Sequence, residues 1–259
     1  DRLLVVSAGV GVGVGVGWYW HSGDSAVVHA KAREVHADEV DETGEVSGPA
    51  EFNGQWKVGG GFRRMTPLKV KVYTIAMYAR ESADELSARL LSSETASKWI
   101  NASADDVMGD EEFWLHLLDS GGEITLLMTV VRSVGGKHMQ QGFDRALIKR
   151  VRRADKEMNM PGGKAGLKKF NKVFTDLGTL PVGTKVAITF HPGRSALDVT
   201  VNGESKASIA SPALSWALWD MFFASSSPAS PEVKRSVADG LASVLALDSH
   251  ATIAASPRG

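Results

Sequence analysis

The 259-residue chain contains no cysteine, which excludes disulfides, thiolate metal centres and cysteine nucleophiles without naming a compartment. It also lacks a dominant charge: 29 Lys and Arg stand against 30 Asp and Glu, a formal net of −1, so its overall field selects neither an anionic nor a cationic partner. No single string in it is specific enough to serve as a motif, and its organisation is therefore read from pattern. A hydrophobic content of 43% suits one large core with appendages better than two separate domains. The chain opens on Asp1, not on methionine, and we expect any targeting signal to lie upstream of it.

Charge is absent altogether from 3–20, LLVVSAGVGVGVGVGWYW, which follows Arg2 and closes on three aromatics. Its length and flanks are those of a membrane anchor over 1–20, while the Val-Gly alternation is that of a strand or a low-complexity passenger. Residues 21–53 lack sustained apolar periodicity and end in an acid-rich run, as expected of a solvated linker. The folded domain is expected over 54–248, with a tail over 249–259.

Inside that domain, Gly59 to Ala79, GGGFRRMTPLKVKVYTIAMYA, reads as a glycine-cushioned basic turn carrying Arg63 and Arg64 into a buried strand. An arginine there is either an anion holder or a solvated hairpin residue. Ala83 to Leu91 reads as a helix capped by Ser82, and Glu94 to Ile100 as a second. Phe113 to Leu118, which contains His116, and Glu123 to Arg132 read as strands, the latter central in a sheet. From Lys137 to Met158 an amphipathic helix presents Met139, Phe143, Ala146, Leu147 and Val151 as one stripe. Its other side is basic: between Lys137 and Lys172 eleven Lys or Arg meet three acids, a local net of +8. That face is either simply solvated or suited to anionic lipid, with nucleic acid disfavoured by the absence of interleaved aromatics. Another helix follows around Lys168 to Asp176. Lys185 to Phe190 and Ala196 to Val201 form a hairpin around His191, Asn202-Gly203 turns the chain into Lys206 to Ala210, and Ser211-Pro212 and Ser230-Pro231 open two closing helices.

These elements, in this order, together with TLLMTVVRS, GFDRALIKRV, the stretch from LPVGTKVAITF to LWDMFF, and ASPEVKRSVADGL, resemble the chalcone isomerase-like family over about 56–244. The resemblance implies an α+β fold, an open-faced β-sandwich of a long antiparallel sheet with a layer of helices, and a ligand cleft between the two layers. It also implies one of three activities: cyclisation of chalcones by an intramolecular lyase, fatty-acid binding, or the haem binding attributed to the mitochondrial "altered inheritance of mitochondria" members. Arg63 matches the arginine that stabilises the enolate in the enzymes. Phe143 stands for their helix tyrosine, Ala146 for a lysine, Arg150 for an asparagine and Tyr73 for a threonine, this last as in the fatty-acid-binding relatives. The expected ligand set is Arg63, Tyr73, Phe143, Met221 and Phe222, holding an amphipathic carboxylate, either a fatty acid or a haem. A haem would take His138 as its iron ligand. Chalcone cyclisation is not expected, and an isomerase using Arg63 is the alternative. The expected location is a mitochondrial membrane, the inner one favoured, with a plastid as the alternative.

Overall fold

A computed structural model describes residues 48–65, 70–120, 122–191, 193 and 196–254. The expectations for the anchor at 1–20 and for most of the linker lie outside these residues. No helix among the described residues is long and apolar enough to cross a membrane.

The frame is a seven-stranded antiparallel sheet in the order β1-β2-β3-β4-β7-β8-β9. Its strands are β1 (Glu51–Phe52), β2 (Gln55–Met65), β3 (Val70–Ala79), β4 (Ile124–Val130), β7 (Lys185–Phe190), β8 (Leu197–Val201) and β9 (Glu204–Ile209), while β5 (Val134–Gly135) and β6 (Thr179–Leu180) form a separate pair. As its unbroken apolar run predicts, β4 is central and wholly buried. Alternation then divides the sheet. Ile75 faces Met128 and Met128 faces Val186 across the ladders, and with Met77, Leu126, Ile188 and Val199 these side chains join the main core. Ala76, Tyr78, Leu127 and Ala187 project to the opposite face and form a small cluster with Phe52. The Asn202-Gly203 turn has positive φ at both residues (51° and 82°), the requirement of a tight hairpin.

Seven α-helices are described: α1 (Ala83–Leu90), α2 (Ala104–Gly109), α3 (Glu111–Asp119), α4 (Gly136–Glu157), α5 (Gly163–Asp176), α6 (Pro212–Phe223) and α7 (Pro231–Ala254). Ser82 caps α1 through a reciprocal box with Glu85, and Ser211 caps α6 by accepting from Leu214 N. Glu94–Trp99 is a 3-10 turn and not an α-helix. Helix α6 is buried on all sides apart from the half-buried Pro212 and Asp220, as expected of a helix apolar all round.

Two further sequence expectations are corrected. Phe113 to Leu118 lies in helix α3, so His116 is not in a strand. Asp110 caps this helix through Phe113 N at 3.1 Å, and Phe113, Trp114, Leu117 and Leu118 are buried at helical spacing. A short run of large apolar residues fits both periods, and the cap decides between them. The second correction concerns Gly59 to Gly61, which lie inside strand β2 and not at a turn. Gly59 is small because α7 crosses the strand there, and Gly60 because β3 lies close, a Cβ on it standing 2.7 Å from the Ile75 carbonyl oxygen. A Cβ on Gly59 would stand 2.5 Å from the Ser236 carbonyl oxygen, and one on Gly240 would overlap that of Val58. The crossing is fixed by Gly60 N donating to Ser236 Oγ at 3.1 Å and Ser230 Oγ donating to Phe62 O at 2.8 Å.

Candidate functional site

Antiparallel pairing of β2 and β3 places Arg63 directly opposite Tyr73, with an irregularity in the ladder immediately after Arg63. On its other side Tyr73 is the partner of Val130 in the central strand. Directly opposed positions share one face of a sheet, and Tyr73 belongs to the main core on the helix side, with 4% of its surface exposed. Backbone register thus brings together the two polar residues expected at the headgroup end of a ligand. The side chain of Arg63 lies outside the described residues.

The apolar members of the expected set fall in the same connected core. Phe143 on α4 packs its ring against Phe170 and Phe174 of α5, with centroids 5.0 Å away in each case. Met221 and Phe222 are fully buried on α6. His138 does not join them. It is exposed in the first turn of α4, while its neighbour Met139 is buried. The imidazole of His138 is thus at the surface, while the side chains of Met139 and Phe143 lie in the core. No three His, Asp or Glu residues cluster to hold a metal ion among the described residues.

Sequence reasoning missed an ion pair beside this core. Arg150 Nε lies 2.6 Å from Asp220 Oδ2, and Arg150 Nη1 donates to Ala146 O at 2.8 Å. The pair ties α4 to α6 across seventy residues of sequence, and no local pattern announces such a contact. A second missed group is Lys234 on α7, 1% exposed, whose Nζ donates to Met108 O at 2.8 Å and Ala224 O at 2.9 Å and lies over the Trp114 ring. Burial pushes its ammonium below the ordinary lysine value, and the charges of Glu111 and Asp220 oppose that shift.

Among the described side chains, the two other histidines have structural partners. His116 bonds through Nε2 to Leu90 O at 3.1 Å and lies against Trp99. His191 leads out of β7 and sets Nε2 2.8 Å from Asp198 Oδ2. Burial raises the Asp198 carboxyl, but the hydrogen bonds from Ser208 and His191 outweigh it and leave the group below its ordinary value.

The sequence profile of the family described as chalcone isomerase like matches residues 57–238, the whole span from β2 into α7. The chain belongs to the chalcone isomerase-like family. In keeping with that membership, its antiparallel sheet and helices match the crystal structure of a fatty-acid binding protein from Arabidopsis thaliana. The TM-score is 0.62 at 21% identity, covering 79% of this chain and 97% of that one. No curated protein matches this member of the family in sequence.

Proposed function

We propose that this protein binds an amphipathic carboxylate, a long-chain fatty acid, between sheet and helices, with Arg63 and Tyr73 at the carboxylate and Phe143, Met221 and Phe222 along the chain. The observation that carries this reading is the cross-strand pairing of Arg63 with a buried Tyr73. An arginine and a tyrosine at directly opposed positions could supply a charge-assisted and a neutral hydrogen bond to one carboxylate, and both gain strength where water is excluded. The Arabidopsis protein of the same fold, itself a fatty-acid binding protein, supports the ligand class.

The same reading assigns no chalcone cyclisation. By the family resemblance, Phe143 and Ala146 stand where the enzymes carry a hydroxyl and an amine, and the nearby cation of Arg150 is neutralised by Asp220. We place the chain on a membrane through 3–20, in the mitochondrion, the inner membrane favoured and a plastid as the alternative.

The test is mass spectrometry of lipid extracted from the purified chain, followed by fatty-acid titration. Arg63→Ala is expected to weaken binding by about 1.5 to 3 kcal/mol, the worth of a hydrogen bond to a charged group. Affinity unchanged in that variant removes Arg63 from the site. A Soret band in the purified chain that vanishes in His138→Ala would replace fatty acid by haem.

A further inference from the structure

Helices α4 and α5 divide their charges unequally between their shared seam and the solvent. Two of their four acids turn inward: Asp144 accepts from Gln140 and, at 2.5 Å, from Asn171 Nδ2, while Asp155 accepts from Gly163 N at 3.0 Å; the other two, Glu157 and Asp176, are exposed and pair with Arg153 and Lys172. The cations turn outward. Arg145, Lys149 and Arg152 are exposed on α4, and Lys164, Lys168 and Lys169 on α5. Among the described residues none of these six has an ion-pair partner. From Gly136 to Asp176 eleven Lys and Arg face four acids, a net of +7 in a chain whose whole net is −1. The charge is therefore concentrated on two adjacent helices.

Two details select the partner. Ile148, 40% exposed, lies on the same stripe of α4 as Arg145, Lys149 and Arg152, so the cationic face carries an apolar residue at its centre. The aromatics of the two helices, Phe143, Phe170 and Phe174, are all buried, leaving no ring on which a base would stack. An apolar side chain framed by long cationic ones suits the boundary between headgroups and acyl chains, where the stems of Lys and Arg lie along apolar surface and their charges meet phosphate. We propose that the exposed face of α4 and α5 docks this protein onto an anionic lipid bilayer. The assignment is independent of the fatty-acid site and of what 3–20 does.

The absence of cysteine permits a local readout in the full chain. Ile148→Cys carries an environment-sensitive nitrobenzoxadiazole label, and Ser205→Cys, exposed on β9, carries the same label as control. On vesicles of phosphatidylcholine with about one-third phosphatidylserine, the label at 148 is expected to shift to the blue while that at 205 does not. Each Lys or Arg at an anionic surface is worth about fivefold in partition. The combined Arg145→Glu, Lys149→Glu and Lys168→Glu variant should therefore lose at least about tenfold of the response, as should salt of about 0.5 M. A label at 148 that stays unshifted while the chain floats with the vesicles overturns the proposal, as does an equal shift on pure phosphatidylcholine. A larger response to single-stranded RNA than to the anionic vesicles assigns the face to nucleic acid and overturns it equally.

Discussion

Arg150 and Asp220 meet at 2.6 Å across the α4–α6 packing, with side chains only 25% and 15% exposed. Removing either partner leaves a charge in a site that water enters poorly, whereas removing both leaves two positions that apolar groups can fill. Arg150→Met is therefore expected to cost about 2 to 4 kcal/mol in urea unfolding, and the Arg150→Met, Asp220→Leu double variant less than either single change. Equal costs in all three variants would show that the pair contributes packing and not charge compensation.

Locally encoded features were legible in the sequence. Ser82, Ser211-Pro212 and Asn202-Gly203 each satisfy backbone groups within a few residues, and the structure uses them as caps and turn. The continuous apolar run of β4 likewise located the centre of the sheet. Features whose cause lies far along the chain were not legible. Gly59 is small because of Ser236, Lys234 caps Met108 and Ala224, and Arg150 answers Asp220. At the candidate site, the register of β2 against β3 opposes Arg63 and Tyr73, and a glycine run mistaken for a turn concealed it. Phe113 to Leu118 misled because bulky apolar residues at adjacent positions suit a buried strand as well as a helix, until Asp110 is seen to cap the first turn.

Lys234 couples stability to pH. Its folded value lies below the ordinary 10.5 because burial penalises the ammonium. Between the folded value and 10.5 the unfolded chain therefore binds more protons than the native one, and this lysine's contribution to stability rises with pH across that window. Wild type is expected to gain stability relative to Lys234→Met as pH climbs towards 10.5, measured by urea unfolding at a series of pH values. At neutral pH the same substitution is expected to cost about 2 to 3 kcal/mol, because the Met108 and Ala224 carbonyls lose their donor. A stability difference constant across the alkaline range would mean that Lys234 titrates as an ordinary lysine.

Phe143 bears on chalcone cyclisation through its surroundings. Its ring is enclosed by Phe170 and Phe174 at 5.0 Å each and is 2% exposed, in a position where the family's cyclising enzymes, by resemblance, present a tyrosine hydroxyl. Restoring that hydroxyl in Phe143→Tyr would push a polar group into an aromatic cluster, at a cost of about 1 to 3 kcal/mol unless it finds a partner. We expect wild type to show no acceleration of flavanone formation from a hydroxychalcone beyond a residual contribution from Arg63. We expect Phe143→Tyr to unfold at lower urea without gaining activity. Ala146 offers only its backbone oxygen, which accepts from Arg150 Nη1, so this position carries no amine. Product chirality read by circular dichroism, alongside the initial rate, separates the outcomes. Stereoselective cyclisation by wild type that is lost in Arg63→Ala would make this chain an intramolecular lyase and displace the binding function.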